Sequence, residues 1–431
     1  MTVTAEDPEL LARALGAVTP RAILETLDVL MAVPAPPGRE RGLAEHVAAW
    51  GRRAHPHLSW DVDVIDERAA NLVARAERGS APRTLALYGH LDTSLTGEAA
   101  NDFAITGELG DVARHGLDAA AGEIRGLGVG IARAPSAAAI VVLVAASEAL
   151  RAAGVPHRIE LLLAAGGTHR AAPSDGPVPA VRFGPGIDHA LARGWRPDAV
   201  LNVKGGPPGV LLEEAAAAYL RVRLRSRWTA ALVRAKVAPD GGLVRHAGAV
   251  LDAVESWRTE YLAAHPPSGQ LGSEIAIGAV RGGSPEKADL IPGLLELHLY
   301  AVLPPSSDPV SVASELEAYL RPRAAALPGA PSLEVTAYAS APGGSTDPSS
   351  EIARLAREAW RTHLGTDPAG VTGWTGVTDG AVLMAAGIPT ARLGAYVKRD
   401  MSDPRVEIVS MDELLRAARA WLEVAVRYAG R

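Results

Sequence analysis

Apolar residues follow two different periods along this chain, and together these periods predict a mixed fold. Apolar positions recur at helical spacing in four segments: 20–50 with a break at 34–38, 136–153, 350–364 and 411–429. Alternating or continuous apolar runs typical of strands occupy 58–76, 84–90, 159–165 and 200–203. Strands and helices that alternate in this order predict an α/β fold in which helices cover a largely parallel sheet.

A second pattern begins near residue 210 and predicts a smaller inserted domain. Its predicted elements are strands at 219–224, 274–280 and 293–303 and helices at 243–263 and 309–321. We therefore predict one α/β domain from residues 1–210 and 330–431, interrupted by an inserted α+β domain at 211–329. The stretch 95–130 is rich in Gly, Ala and Asp, which predicts a long loop over the strand ends.

Composition narrows the class of protein. At 431 residues the chain is long enough for two domains, and 48% hydrophobic with 21% charged residues is typical of a globular protein. The net charge of −6 gives no indication of a nucleic-acid partner, and we find no apolar run as long as a membrane span. The absence of cysteine excludes disulfides, thiolate metal sites and cysteine nucleophiles. We expect a cytoplasmic protein without nucleic-acid or membrane partners.

The most informative motif is Tyr-Gly-His-Leu-Asp-Thr at 88–93. An apolar run ends at Gly89, so His90 is predicted to leave a buried strand with Asp92 two residues further on. A carboxylate placed in this way can hold the second ring nitrogen of a histidine. The motif therefore predicts either a metal ligand or an acid–base group.

Several short motifs occur together in the order and spacing of one enzyme family: Gly89-His-Leu-Asp92, Gly126-Leu-Gly128, Pro197-Asp198, Leu290-Ile-Pro292, Thr378-Asp379-Gly380 and Gly387-Ile-Pro389. With these motifs the chain resembles, over nearly its whole length, the zinc aminoacylase, desuccinylase and carboxypeptidase family of metallopeptidases. The resemblance implies a zinc-carrying α/β domain interrupted by a ferredoxin-like lid domain that often dimerises. We therefore expect a homodimer formed through the inserted domain.

The positions at which this family holds zinc carry other residues here. The carboxylate that bridges two zinc ions in the family corresponds to Ile131, and the Glu pair that supplies a general base and a ligand corresponds to Gly166 and Gly167. A further acidic ligand corresponds to Lys204, and the C-terminal histidine ligand corresponds to about Met401. Hydrolytic zinc sites use three or more protein ligands. The resemblance therefore implies a degenerate member, for which we expect no metal and no other cofactor.

Four residues are candidates for acid–base chemistry. His90 and Asp92 either form a catalytic pair or are a packed remnant of the zinc site. His169 follows the lost Glu pair and is either a replacement acid or base or a solvated loop residue. Lys204 either fills the vacant cationic space, where it could pair with Asp92 or bind a substrate carboxylate, or is a surface lysine.

Four more residues are candidates for substrate binding. Arg133 and Arg170 lie near the lost ligands in sequence and could hold a carboxylate. Thr378 and Asp379 are predicted at a strand exit that faces the same cleft, with a turn or helix cap as the alternative.

The sequence leaves three functions open. The first is a metal-independent enzyme that acts on an amino-acid-derived or peptide-like small molecule with a carboxylate or amide. Loss of the metal-activated water favours non-hydrolytic chemistry such as acyl transfer, condensation or cyclisation, as in specialised biosynthesis. The second is a catalytically inactive relative that binds a small molecule or a partner protein. The third is a zinc amidohydrolase or peptidase whose ligands come from other parts of the chain.

Overall fold

The computed structural model describes residues 8–170, 181–230 and 242–430. Within these ranges the α-helices are α1 (Pro8–Ala17), α2 (Pro20–Met31), α3 (Arg41–Ala54), α4 (Ala99–Thr106), α5 (Ala134–Ala152), α6 (Pro185–Ala192), α7 (Ala247–Ala264), α8 (Pro309–Ala325), α9 (Glu351–Leu364), α10 (Gly380–Ala385) and α11 (Met411–Ala429). The strands are β1 (Ser59–Val64), β2 (Ala70–Arg78), β3 (Leu85–His90), β4 (Gly116–Asp118), β5 (Glu123–Leu127), β6 (His157–Ala164), β7 (Val181–Arg182), β8 (Ala199–Asn202), β9 (Val210–Leu211), β10 (Glu213–Glu214), β11 (Ala216–Arg225), β12 (Thr229–Ala230), β13 (Glu274–Arg281), β14 (Leu290–Ile291), β15 (Leu294–Leu303), β16 (Ser332–Ala341), β17 (Gly344–Ser345), β18 (Thr390–Leu393), β19 (Val397–Arg399) and β20 (Val406–Ser410).

Capping residues begin helices where the sequence pattern predicted them. The Thr19 hydroxyl accepts a hydrogen bond from the Ala22 N–H at 3.2 Å, and Pro20 takes the first position of α2. Ser410 caps α11 in the same way by accepting from the Glu413 N–H at 3.4 Å. The predicted break at 34–38 is confirmed, since α2 and α3 are separate helices.

A seven-stranded sheet forms the centre of the molecule. Its strand order is β1-β2-β6-β3-β8-β18-β9, and the four strands β6, β3, β8 and β18 run parallel. Apolar residues on one face pack against α1, α2, α3, α5, α9 and α11, and those on the other face pack against α6 and α10. Because both faces are covered, every residue of β3 is buried. The predicted α/β fold around a large central sheet is confirmed.

A second sheet has its own apolar core. Its order is β13-β15-β11-β16-β7, with antiparallel pairing except for the short parallel pair of β7 and β16. Helices α7 and α8 pack on it through residues such as Trp257 and Leu316. This sheet also includes β16, which lies beyond residue 329, the predicted end of the inserted domain. The division into 1–210 with 330–431 and 211–329, and dimerisation through the insert, remain predictions.

The stretch 95–130 is more ordered than the predicted loop. It contains α4, β4 and β5, and β5 pairs with β20 in a four-stranded sheet of order β19-β20-β5-β4. The Asp102 carboxylate accepts from the N–H groups of Thr96 and Gly97 at 3.0 and 2.7 Å. The polar residues that suggested a loop therefore fix turns between short elements.

One helical segment meets the length and composition expected of a membrane span. Residues Val129–Ala152, a π-helical turn followed by α5, contain a window of mean hydropathy 1.9. The expectation that no apolar run reaches this length is therefore wrong. Within the protein, however, 89% of that window is buried, because α5 packs between the central sheet and α2 and α11. Such burial is typical of a core helix.

Candidate functional site

The carboxyl ends of the parallel strands meet at one edge of the central sheet. Strand β3 ends at His90, β6 leads into the loop Gly166–His169, β8 leads to Lys204, and β18 carries Arg392. In open parallel sheets, the loops that follow the strands form the crevice in which ligands bind. The topology therefore gathers side chains from four distant parts of the sequence.

These loops and the second sheet enclose a cleft of about 440 Å³. Its described lining residues are Ser94, Ile131, Gly167, Thr168, His169, Lys204, Gly205, Gly206, Tyr219, Tyr300, Trp374, Gly376, Val377, Arg392, Val397 and Arg399. Three cations and three large aromatic residues belong to this lining, and within the described ranges it contains no Asp or Glu. The cleft therefore offers positive charge beside aromatic surface.

His169 faces this cleft and is held by a carboxylate. Its Nε2 lies 2.9 Å from Asp379 Oδ1, and its ring stacks on Phe183 at a centroid distance of 4.6 Å. His169 is only 8% exposed, so the alternative of a solvated loop residue is wrong. When Nε2 donates to Asp379, Nδ1 is the ring nitrogen that can take up a proton.

Asp379 is a buried carboxylate with two side-chain donors. Burial opposes its charge, but the hydrogen bond and charge of His169, helped by Lys204 and Tyr88, outweigh burial and hold the pKa of Asp379 below its usual value. Tyr88 OH donates to Asp379 Oδ2 at 2.5 Å, and burial followed by the Asp379 charge raises the pKa of Tyr88. Although Asp379 precedes α10, its side chain makes no capping hydrogen bond. Asp379 therefore takes the N-cap position that the sequence offered as an alternative, while its carboxylate is used by His169 and Tyr88.

Thr378 is fixed within a buried polar cluster. Its hydroxyl donates to Glu214 Oε1 at 2.5 Å and accepts from Asn202 Nδ2 at 2.8 Å. Thr378 is 1% exposed and is absent from the cleft lining. Its position favours support of the neighbouring Asp379 over direct contact with a substrate.

His90 and Asp92 form a second pair, beneath the cleft. His90 Nδ1 lies 3.2 Å from Asp92 Oδ1 and 3.1 Å from the Asp92 carbonyl oxygen. Both side chains are fully buried, and neither lines the cleft. A Cβ atom at Gly167 would lie 2.5 Å from the Cβ and Cγ of His90, so this glycine directly covers the imidazole. Burial, followed by the charge of Lys204, lowers the pKa of His90.

Two buried carboxylates hold the loop that separates the two pairs. Gly166 N–H donates to Glu40 Oε1 at 3.0 Å, Gly167 N–H donates to Asp92 Oδ1 at 2.8 Å, and Thr168 N–H donates to Asp92 Oδ2 at 2.9 Å. The Thr168 hydroxyl also donates to Asp92 Oδ2. Although burial favours protonation of Asp92, its bonds with His90 and Thr168 hold the pKa well below the usual range. Burial and the Asp92 charge instead raise the pKa of Glu40 to about 7.

Two further donors reach the same loop from the cleft side. Lys204 Nζ donates to the Gly167 carbonyl at 2.8 Å, and Tyr219 OH donates to the His169 carbonyl at 2.8 Å. Lys204 is 7% exposed, so it is not a surface lysine. His169 has a φ of 49°, a left-handed conformation that costs energy for a side chain of this size. The surrounding hydrogen bonds therefore determine how His169 is presented to the cleft.

The two predicted carboxylate-binding arginines do not line this cleft. Arg133 is 2% exposed, and its Nη1 donates to the Leu30 carbonyl at 3.2 Å. Burial lowers the pKa of Arg133 to about 10. Arg170 is exposed at the outer end of the loop. Their positions do not favour direct contact with a ligand held between His169 and Lys204.

The solved structures that this chain resembles include peptidases and an amidase of the hydantoinase/carbamoylase family, whereas the sequence matches no protein-family model. A tripeptidase from Staphylococcus aureus is similar with a TM-score of 0.65 and 16% identity, covering 96% of this chain and 99% of that chain. The dipeptidase Dug1p from Saccharomyces cerevisiae has a TM-score of 0.67 at 12% identity, with 99% of each chain covered. An M20 family metallo-carboxypeptidase from Sulfolobus solfataricus has a TM-score of 0.64 at 14% identity, covering 94% of this chain and 99% of that chain.

The chain has the M20 peptidase fold. At these identities the likeness concerns the fold alone. It supports the family-level resemblance that the sequence motifs indicated.

The side chains around His90 do not fit the zinc pair that the M20 fold implies. Ile131, Gly167 and Lys204 line the cleft at positions where the family is expected to hold metal or its water, and none of these side chains is a metal ligand of the usual oxygen or imidazole kind. Across residues 8–170, 181–230 and 242–430, no group of three or more His, Asp or Glu could hold a metal ion. Met401, the position matched to the C-terminal histidine, is 94% exposed.

Several cleft residues lay outside the sequence prediction. Arg392 could have been noticed as a charged residue in an otherwise apolar strand. Tyr219 and Tyr300 face each other across β11 and β15, a pairing that requires the register of two strands far apart in sequence. Trp374 follows a glycine in an irregular segment, where no periodicity signals its position.

Proposed function

We propose that this protein is a metal-independent enzyme that performs acid–base chemistry on an amino-acid-derived or peptide-like small molecule bearing a carboxylate. The observation that carries the proposal is the His169–Asp379 pair, which faces a cleft lined by Lys204, Arg392 and Arg399. A histidine oriented by a buried carboxylate is a recurrent arrangement for general bases.

Each polar group has a defined role in this proposal. His169 Nδ1 takes the proton from an attacking amine or hydroxyl group and returns it to the leaving group. Asp379 fixes the tautomer and stabilises the imidazolium, and Tyr88 holds Asp379 in place. Lys204 is placed to stabilise negative charge that develops on a carbonyl oxygen. Asp92 acts indirectly, because it holds the loop that carries His169.

The surroundings of the pair favour a non-hydrolytic reaction. The residues at the family's ligand positions supply no metal-activated water, and aromatic residues line the cleft where bulk water would compete with another nucleophile. Acyl transfer, condensation or cyclisation fits these conditions, with the nucleophile supplied by a second substrate or by the same molecule. Such a reaction suits a specialised biosynthetic pathway.

A zinc-dependent amidohydrolase is the second candidate. It is favoured by the similar solved structures, which include a tripeptidase and a metallo-carboxypeptidase. This candidate requires ligands from outside the cleft described above. A catalytically inactive, ligand-binding protein is the remaining alternative.

The test compares metal-free and metal-loaded protein on one panel of compounds. Protein dialysed against a chelator, with residual metal measured by elemental analysis, is incubated with N-acyl amino acids and small peptides, with and without amine acceptors. We expect transfer or cyclised products by mass spectrometry, and we expect His169→Gln to abolish them.

His115→Gln is the matched control, since His115 Nε2 also contacts a carboxylate, Asp28 Oδ1 at 2.7 Å, but lies outside the cleft. Hydrolysis that appears only after zinc is added would contradict the proposal and favour the amidohydrolase. Binding of panel members without any product would favour the inactive relative.

A further inference from the structure

Arg392 reaches the cleft from β18, and two of its three guanidinium nitrogens are hydrogen-bonded within the described part of the chain. Its Nε donates to the Lys204 carbonyl at 3.3 Å, and its Nη2 donates to the Gly205 carbonyl. Its Nη1 is buried and has no acceptor among the described residues. The nearby Glu214 interacts with Arg392 through charge but makes its hydrogen bonds with Thr378. A buried charged donor without an acceptor is costly, so an anionic ligand atom at Nη1 would be stabilised.

Trp374 supplies a second donor of the same kind. Its indole Nε1 is buried without an acceptor in the described part of the chain, and its ring centroid lies 5.5 Å from the Arg392 Cζ. The side chain is half-buried and covers Gly376, where a Cβ atom would lie 2.4 Å from the ring. The glycine lets the indole pack directly on the backbone, and both Trp374 and Arg392 belong to the cleft lining.

An aromatic wall lies beside these two donors. Tyr219 and Tyr300 line the cleft with ring centroids 5.2 Å apart. Tyr300 and Trp374 also belong to one apolar cluster around Leu271 and Val302, which joins the wall to the donors. Aromatic side chains favour planar ligand groups, which pack on them by stacking or edge contacts.

We infer that this part of the cleft binds an aromatic carboxylic acid, whose carboxylate accepts from Arg392 Nη1 and Trp374 Nε1 while its ring packs against Tyr219 and Tyr300. The inference rests on the proposed function and names the substrate class for the same cleft. Lys204 is then left for the carbonyl oxygen at which the reaction takes place. Arg392 and Trp374 are specificity residues in this arrangement, separate from the acid–base pair.

Three defined probes test the class of ligand by isothermal titration calorimetry. N-acetyl-L-phenylalanine has the ring and the carboxylate, its primary amide lacks the charge, and N-acetyl-L-alanine lacks the ring. We expect the aromatic acid to bind about tenfold or more tightly than either comparison compound, since charged hydrogen bonds and a buried ring each contribute on this scale. Equal binding of the acid and its amide, or no binding of the acid at about 10 mM (near the weak limit of such titrations), would overturn the inference.

Two variants test the residues, and a third is the control. Arg392→Gln should weaken binding of the aromatic acid about tenfold or more. Trp374→Phe keeps an aromatic ring but removes the N–H donor, and it should weaken binding about fivefold. Arg193→Gln is the control, because Arg193 lines a different cavity. Unchanged binding in both Arg392→Gln and Trp374→Phe would overturn the inference. If Arg392→Gln does not fold, Arg392→Lys replaces it, because a lysine keeps the charge but loses the planar fork.

Binding and turnover measured on the same variants distinguish an error in the ligand class from an error in the proposed function. His169→Gln should still bind N-acetyl-L-phenylalanine within about threefold of the unmodified protein, because His169 does not contact the carboxylate in this arrangement. If binding depends on Arg392 and Trp374 but no product depends on His169, the ligand class stands and the catalytic role fails. If products depend on His169 but the acid and amide bind equally, the reverse holds.

Discussion

Two His–Asp pairs lie on opposite sides of one short loop, and they differ in what they can reach. His90 and Asp92 are two residues apart, fully buried and covered by Gly167. His169 and Asp379 are separated by 210 residues but are hydrogen-bonded to each other, and His169 lines the cleft. The first pair does not line the cleft, whereas His169 of the second pair does, as the proposed acid–base role requires.

The difference shows that chemical type alone does not assign a role. The two carboxylate oxygens of Asp92 accept hydrogen bonds from the Gly167 and Thr168 N–H groups, which fixes the loop from below. The carboxylate oxygens of Asp379 accept hydrogen bonds from His169 Nε2 and Tyr88 OH, which fixes the orientation of the His169 imidazole. The same pair of residue types therefore stabilises structure in one place and presents a proton acceptor in the other.

The largest expected effect is on turnover. His169→Gln should reduce the rate of product formation by about 10² to 10⁴, the usual contribution of a positioned general base. His115→Gln should leave the rate within about twofold, because the exposed His115–Asp28 pair lies outside the cleft. Steady-state rates of the two variants measure the difference. A larger loss in His90→Ala than in His169→Gln, with both proteins folded, would reverse the assignment of the pairs.

Asp92→Ala should act mainly on stability. The change leaves the Gly167 and Thr168 N–H groups without a buried acceptor and leaves His90 with only the backbone carbonyl of residue 92. We therefore expect the free energy of unfolding to fall by about 4 kcal/mol. Asp28→Ala removes the carboxylate of an exposed pair and should cost less than about 1 kcal/mol. Urea denaturation followed by circular dichroism compares them. A loss no greater than in the control would show that the covered pair does not support the loop.

Glu40→Gln should change how stability depends on pH. Because the pKa of Glu40 is raised from 4.5 to about 7, the folded protein binds a proton that the unfolded chain releases. Stability should therefore fall as pH rises from 4.5 to 7, by as much as about 3 kcal/mol. Glutamine keeps an acceptor for the Gly38 and Gly166 N–H groups but does not titrate.

The variant should gain stability relative to the unmodified protein over that pH window. Denaturation at pH 5 and pH 8 measures the change. Parallel pH profiles for the two proteins would contradict the expectation.

Thr168→Val should have the smallest effect. It removes the hydroxyl that donates to Asp92 but keeps the shape and the backbone bond, so we expect a loss of about 1 kcal/mol. Thr259→Val is the control, since Thr259 is exposed and its hydroxyl donates to the Glu255 carbonyl of its own helix. Thermal denaturation of both variants provides the comparison. Equal losses would remove the distinction between the buried and exposed hydroxyl groups.

The fold was largely predictable because periodicity reports local structure directly. The pattern at 411–429 matches α11, and the runs near 84–90 and 159–165 correspond to the central strands β3 and β6. The pattern failed where local signals conflict with packing. Helix α8 continues past the predicted end at 321 through Pro322, because its apolar face remains packed on the second sheet as far as Ala324.

The candidate site was less predictable because its parts come together only in the folded chain. Because His90 and Asp92 are only two residues apart, their closeness can be predicted without knowledge of the tertiary structure. His169 and Asp379 meet only because the loop after β6 and the segment before α10 lie side by side in the folded chain. Their spacing in the sequence does not specify this arrangement. Burial of His90 depends equally on Gly167, whose importance lies in the side chain that it lacks.

The two glycines after β6 also limit which residues this loop can carry. A side chain at Gly166 would meet the ring of Pro185 at 2.6 Å with the backbone at φ +70°, and one at Gly167 would meet His90 at 2.5 Å. A side chain at Gly166 would therefore require the Pro185 segment to move, and one at Gly167 would require the His90 imidazole to move. The loop after β6 has almost no tolerance for any residue larger than glycine at either position.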